Sequence, residues 1–509
     1  DSPAPPAPRP PPPPPAPPPP PPPHPPKKKT PPKPPFFFFC LHYVMDYLRQ
    51  QLAHWQSQVA ADANNATAWF NLGWWSNKAG LYTQAVKAYE GSISLGISEP
   101  EEAMSNLASV YSERLANASM AVHWLDRALE IRPDYYQALF NRAHIAEQTG
   151  DRDLACQLFA RAATLSPGDP SALARLVEAD PALTMASAVA KKLSELAGTD
   201  VDALIGLARL QEREGHYVKA WESLMKANEA DRLKQPAWSS SQCRHQMISQ
   251  LETFPLPHTP SLSEDSAPVF ILGMLRTGST LLEQIHAAHA RFKPLGESEF
   301  WPREIHSLGG GMLKPGRRPS PTQRAEIKAR WGKHLHERGI PVGVRVTDKR
   351  PDNLFHIATI LDVLPDAKIL VTERDWRDTL VSVYGTHLHA QHGYATDPAA
   401  IADHIHLCQQ IADFWVEAFP DRVKKVSYEA LVDDPHSTLQ ALFVWLGEQW
   451  DPSCLEFYKL NNSVRTASVW QVREPLGSGR KGRWRLYEEP LRQLFGAALD
   501  DPLPPKLLS

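Results

Sequence analysis

The spacing of apolar residues divides the chain into two regimes. From about Leu41 to Arg232, apolar positions, many of them alanine, recur at helical spacing and show no convincing alternation. From Ala267 onward, short apolar runs alternate with helical stretches. Strands are predicted at 268–272, 342–347 (VGVRVT), 368–373 (KILVTE) and 423–427 (VKKVS), and helices at 279–290, 353–363, 376–389, 400–418, 436–446 and 488–499. Apolar strands alternating with helices predict a parallel sheet covered on both faces. Ligands of such sheets lie beyond the carboxyl ends of the strands, which singles out Arg276, Asp348, Lys349 and Arg374.

The helical half repeats. Asn71-Leu72-Gly73, Asn106-Leu107-Ala108 and Asn141-Arg142-Ala143 fall at steps of 35 residues. Ala85, Ala121 and Ala155 hold one place in their units within one residue, Gly80 and Gly150 another, and Pro133 and Pro167 close two units 34 residues apart. Small residues at fixed places let two antiparallel helices approach, and prolines bound them. The pattern resembles the tetratricopeptide repeat over about 67–168, slips over 169–200 and recovers over 201–232 with Gly215 and Ala220. Such an array binds a peptide on its concave face, or it braces the second domain or a homodimer; the sequence leaves both open. Trp69, Trp74, Trp75 and Tyr89 read as core and stacking residues.

Composition sets the boundaries. Residues 1–35 are almost entirely proline with alanine and lysine, a composition that predicts extended polyproline II or disorder. The organisation expected is a proline-rich segment (1–40), helical repeats (41–232), a Ser/Pro/acidic linker (233–266) and an α/β domain (267–509). The run FFFFCLHYVM (36–45) is too short to span a bilayer. A net charge of −3 provides no global field for nucleic acid or anionic membrane. Five scattered cysteines with no C-x-x-C pair argue against a disulfide framework or a zinc site and suit a reducing, cytoplasmic setting. His387, His389 and His392 in THLHAQHGY lack a nearby acidic cluster at suitable spacing and read as a solvated helix end, so no metal is expected.

The chemistry begins at the first strand. GMLRTGST places Gly273, Gly278, Ser279 and Thr280 between a strand and a helix, an arrangement that aims backbone N–H groups at an anion. The spacing is close to G-x-x-x-x-G-K-[ST], but Ser279 stands at the lysine position and Arg276 sits inside the loop. Such a loop suits a phosphate-like group better than a triphosphate with Mg²⁺. Three further segments join it: PLGESEFWPRE with Glu297, VTDKRPDN with Lys349, and TERDWRDTLVS with Arg374 and Ser382, a pair able to grip a second phosphate.

This set resembles the sulfotransferases that use 3′-phosphoadenosine 5′-phosphosulfate. Within them it is most similar to the tyrosylprotein sulfotransferases and to bacterial proteins that join tetratricopeptide repeats to a sulfotransferase domain. The resemblance covers about 267–499, including YEALVDDP (428–435), VRTASVWQVREPL (464–476) and KGRW (481–484). It implies α/β architecture: all-α repeats followed by a P-loop-type parallel-sheet domain. It also implies roles. The loop Arg276, Thr277, Gly278, Ser279, Thr280 would hold the 5′-phosphosulfate, and Arg374 with Ser382 the 3′-phosphate. Glu297 would be the general base toward an acceptor hydroxyl, and Lys349 would stabilise the bridging oxygen with help from Ser468. Tyr428, Arg480 and Lys481 would touch the nucleotide. Sulfuryl transfer, like phosphoryl transfer, asks mainly for positioning and charge stabilisation.

Plainer readings stand beside these: Glu297 as a surface cap or pair, Lys349 paired with Asp348 or Asp352, Arg374 paired with Asp375 or Asp378, and Ser382 as helix packing. The sequence also departs from the family. Leu275 and Ser279 replace the usual proline and threonine of the loop. Phe300 stands where the tyrosylprotein enzymes have arginine, so the acceptor (protein tyrosine, glycan or small molecule) stays open. A nucleotide-dependent phosphotransferase and a non-enzymatic repeat scaffold are the competing functions.

Overall fold

The computed structural model describes residues 36–234, 238–239, 267–311, 314, 316–388, 392–477 and 479–504, with side chains from Tyr47 onward. The expectations for residues 1–35, for most of 233–266 and for His389 lie outside the described residues.

Helices run in antiparallel pairs from Phe36–Ala61 to Tyr217–Arg232. The small residues of the repeat mark helix contacts. A Cβ added to Gly73 would stand 2.8 Å from the Tyr89 ring, and Ala85, Ala121 and Ala155 have no exposed surface. The slip in period at 169–200 corresponds to two short helices, Ser171–Ala179 and Ala188–Leu196. One helix departs from α geometry: Pro100–Ser109 ends in a π turn, Val110–Arg114.

Five parallel strands follow: β1 (Val269–Gly273), β2 (Phe292–Pro294), β3 (Arg345–Lys349), β4 (Lys368–Glu373) and β5 (Val423–Ser427), in the order β2-β3-β1-β4-β5. Both faces are covered. Phe270, Leu272, Val346, Ile369, Val371 and Val423 point into one core, while Val269, Ile271, Leu370 and Val426 point into the other. The chain crosses from one side of β1 to the other between β3 and β4, so the loop after β1 opens at the switch point of the sheet.

The structure corrects several boundaries. The second predicted strand, 342–347, lies instead at 345–349: Asp348 and Lys349 are buried within it although charged, and Val342 is fully exposed. The short edge strand β2 and the helices Phe300–Ser307 and Pro321–Glu337 were not predicted. The predicted helix 376–389 stops at Tyr384, and 353–363 begins as a 3₁₀ turn at Pro351.

The two halves share a core. Ala208, Ala220, Trp221 and Leu224 of the last repeat pair pack in the same cluster as β1 and β4. Polar contacts close the joint: Asn228 Nδ2 donates to Tyr384 O (2.9 Å), Arg209 Nη2 to Gly385 O (2.5 Å) and Tyr487 Oη to Glu212 Oε1 (2.9 Å).

Candidate functional site

The loop after β1 is shaped by close approach and by backbone conformation. Gly273 has φ +134, and a Cβ there would stand 2.6 Å from Thr372 O; Gly278 has φ +99, and a Cβ there would meet the Tyr428 ring at 2.9 Å. Only glycine suits such positions. Between them Arg276 takes φ +69, one of two non-glycine residues in the left-handed region among the described residues. A strained residue in a glycine loop is a feature of ligand clamps. Gly278 caps the helix Ser279–Ala287, whose free N-terminal N–H groups face the same space.

Arg276 reaches across the sheet. Its Nε donates to Ser382 Oγ at 3.0 Å and its Nη1 to Ser468 Oγ. No carboxylate lies within ion-pair distance of it among the described residues. Burial, then the guanidinium groups of Arg209, Arg480 and Arg374, push its pKa down to about 9. Asp378 beside Arg374 and Glu178 beside Arg209 offset part of the cluster, but Arg276 itself has no paired carboxylate, and a buried charge without one disfavours the fold unless an anion joins it. Arg374 ends the turn after β4, lies 4.7 Å over the Tyr428 ring and stands 3.5 Å from Asp378, as its ion-pair reading required. Its Nη2 donates to Arg480 O. Its Nε is buried without a hydrogen-bond partner.

These groups line a cavity of about 390 Å³ bounded by Arg276, Gly278, Ser279, Thr280, Arg374, Tyr428, Ser468 and Arg480. Three expected residues stand elsewhere. The Thr277 hydroxyl turns into the core, donating to Met274 O (2.6 Å) and meeting Thr372 Oγ1 (2.7 Å), so its side chain staples the loop. Ser382 lies behind Arg276 rather than on the wall, and Lys481 pairs with Asp433 outside the cavity.

The pair Lys349 and Glu297 stands at the neighbouring strand end. Lys349 is 1% exposed, and its Nζ donates to Glu297 Oε1 at 2.5 Å, rather than pairing with Asp348 or Asp352. Glu297, with a 44% exposed side chain, borders the first cavity and also a second of about 840 Å³. The second cavity lies between the domains: Tyr82, Arg114 and Ala116 of the repeats face Glu297, Lys349, Arg303 and Arg465.

Sequence reasoning missed three contributors. Glu283, 4% exposed on the helix after the loop, accepts the Gly296 N–H at 3.1 Å. Arg209, from the repeats, adds charge to the Arg276 cluster. A turn of the repeats holds the segment carrying Ser468: Trp470 Nε1 donates to Glu147 Oε1 (3.0 Å), Val464 N to Gln148 O (2.9 Å) and Arg473 Nη2 to Gln148 O (2.9 Å). Glu283 could have been suspected as an acid within an apolar helix start, whereas Glu147 and Trp470 are too far apart in sequence for any local pattern.

Residues 268–452 match the model described as Sulfotransferase family, and residues 136–169 match a tetratricopeptide repeat model. An uncharacterised protein of Aquifex aeolicus (strain VF5) is 26% identical over 400 residues, which is 73% of this chain and 51% of the relative. The chain thus spans about half the length of that curated relative. Solved structures similar to it include the sulfotransferase domain of the Synechococcus PCC 7002 olefin synthase (18% identity, 45% of this chain and 91% of that one, TM-score 0.33). Another is YrrB, described as a tetratricopeptide protein with an unusual peptide-binding site (20% identity, 37% and 88%, TM-score 0.25).

Proposed function

For a chain that carries a sulfotransferase-family domain behind tetratricopeptide repeats, we propose sulfuryl transfer from 3′-phosphoadenosine 5′-phosphosulfate to an acceptor hydroxyl. One observation carries the proposal: Glu297, paired with Lys349 at 2.5 Å, stands where an arginine-lined cavity suited to an anion and a second, wider cavity meet. The residues present fit the nucleotide. Gly273 and Gly278 leave a cradle that a Cβ would fill, and Arg276 has no carboxylate of its own.

In this reading the loop 276–280 and the N-terminus of Ser279–Ala287 hold the 5′ side, and Arg374 the 3′-phosphate with Ser382 behind Arg276. Tyr428 and Arg480 border the nucleotide; Thr277 serves through its backbone only, and Lys481 has no direct role. The bound donor supplies the sulfuryl group, whose sulfur exchanges its bond to the bridging phosphate oxygen for one to the acceptor oxygen. Glu297 takes the acceptor's proton. Lys349, released from Glu297 as that carboxylate is neutralised, turns its ammonium toward the bridging oxygen, with Ser468 beside Arg276. The acceptor enters through the interdomain cavity, so the repeats form one wall of its site. Acceptors of the protein, glycan and phenol classes are the ones to test. The free thiols of Cys156 and Cys454 suit a reducing, cytoplasmic setting. No helix among the described residues is long and apolar enough to cross a membrane.

The test is transfer of labelled sulfate to a panel of peptides, glycans and phenols, with calorimetry of adenosine 3′,5′-bisphosphate against ATP with Mg²⁺. Absence of bisphosphate binding, together with an Arg374→Ala variant that behaves as the wild type, would sink the proposal. Tighter binding of ATP with Mg²⁺ would replace it by a phosphotransferase.

A further inference from the structure

Like Asp348 next to Lys349, Glu283 is a buried carboxylate at the site to which the mechanism above gives no task. It lies on the helix Ser279–Ala287, whose N-terminus faces the donor cavity, yet its side chain points to the acceptor side and lines the interdomain cavity. Its Oε1 accepts the Gly296 N–H at 3.1 Å, while Gly296 O accepts the Lys349 N–H at 3.0 Å. Gly296 is thus clamped at both its polar groups, and the next residue is Glu297. The charged groups acting around Glu283 are Lys349 and Asp348 from β3 and Glu297 from the turn after β2.

The charge balance during turnover gives this arrangement a use. Lys349 is almost wholly buried, and Glu297 is its ion-pair partner. Once Glu297 has taken a proton it is neutral, and a buried ammonium without a negative neighbour is costly. Resting on the sulfuryl-transfer reading, we propose that Glu283 is a positioning residue of the catalytic pair. Its carboxylate holds the turn that carries Glu297, and it is a second negative charge near Lys349 as that ammonium leaves the protonated Glu297 for the bridging oxygen. Burial raises the Glu283 pKa to about 7, against the pull of Lys349 and of the Gly296 N–H and with a further push from the Glu297 carboxylate. Glu283 therefore acquires its charge near neutrality, and turnover rises as it does.

The test uses the full chain and the variant Glu283→Gln, which keeps an oxygen for the Gly296 N–H and removes the charge. Rates are read with 4-nitrophenol as probe acceptor and, in parallel, as slow release of labelled sulfate to water; bisphosphate affinity is read by calorimetry. The expected result is a kcat about 10-fold below wild type at about pH 8, without the wild-type rise from about pH 6, while donor KM and bisphosphate Kd stay within about twofold. Glu283→Ala, which also frees the Gly296 N–H, falls further in kcat. A Glu283→Gln enzyme with the wild-type rate and pH profile overturns the proposal. So does one whose kcat and bisphosphate affinity fall together, since that marks a purely structural acid. A wild-type protein that binds no bisphosphate and transfers no sulfate refutes the sulfotransferase reading itself, and the Glu283 role falls with it. Wild-type turnover with an unaffected Glu283→Gln variant refutes this inference alone.

Discussion

Replacing Arg276 with alanine should weaken ligand binding while leaving the empty protein as stable as before, or more so. Two opposing contributions set the size. Holding Arg276 charged among Arg209, Arg480 and Arg374 lowers its pKa to about 9, a shift of a few units. Each unit is worth about 1.4 kcal/mol. Discounted for the water that reaches the open side of the cavity, the penalty to the fold is on the order of 2 kcal/mol. Against it stand the hydrogen bonds to Ser382 and Ser468, worth together roughly 1–2 kcal/mol, and the solvent can take over part of them. The net change in the stability of the empty protein is therefore about 0 to 1 kcal/mol in favour of the variant. For a bound anion the sign reverses. Loss of a charge-assisted contact to a phosphate costs about 2–4 kcal/mol, or roughly 30- to 1,000-fold in Kd. Urea unfolding with and without adenosine 3′,5′-bisphosphate reads both quantities in one experiment, because a ligand that binds only the native state shifts the midpoint. A variant destabilised by more than about 2 kcal/mol, with undiminished bisphosphate affinity, would show that Arg276 is a structural arginine and that its charge is balanced by the fold.

Three further outcomes are expected. Glu297→Gln should lower kcat by about 10²- to 10⁴-fold with bisphosphate affinity unchanged if, as proposed, the residue takes the acceptor's proton; equal losses in both would refute that role. Trp470→Phe removes the N–H held by Glu147 and trims the ring that lies under Arg152, and should weaken bisphosphate binding by about 3- to 10-fold through the segment carrying Ser468; unchanged calorimetry would show that the repeats do not brace the site. The pair His387–Asp202 (3.0 Å) crosses from the α/β domain to the repeats. The hydrogen bond to Asp202 raises the pKa of His387, and the same bond lowers that of Asp202. A raised histidine contributes stability below its unfolded value and loses it as pH rises through the folded one, and the lowered aspartate does the converse. The contribution is thus complete between about pH 4 and about pH 6.5 and fades above. Urea midpoints at about pH 6 and about pH 9 should differ less in His387→Ala than in the wild type, and equal pH dependence would sink the assignment.

Much of the donor site was legible because its parts are local. The loop GMLRTGST, the DK at the end of β3 and the RD after β4 each sit at the carboxyl end of a strand, and a parallel sheet brings all such ends to one edge whatever its strand order. The bounds of β3 were misplaced because the charged pair Asp348-Lys349 reads by hydropathy as the end of a strand. Asp348 and Lys349 are nonetheless buried at the carboxyl end of the strand. Edge strand β2 escaped notice because three residues, one of them exposed, carry no period.

The sequence by itself determined the repeat period, the α/β alternation and the anion loop, since each rests on spacing within a few tens of residues. Tertiary structure alone decided that Arg276 bridges Ser382 and Ser468, that Glu283 clamps the turn before Glu297, and that the last repeat shares its core with the sheet. It also decided that Tyr82 and Arg114 face Glu297 and Lys349 across one cavity. Such contacts join residues up to several hundred positions apart, and they follow from packing two surfaces together, which no periodicity along the chain encodes.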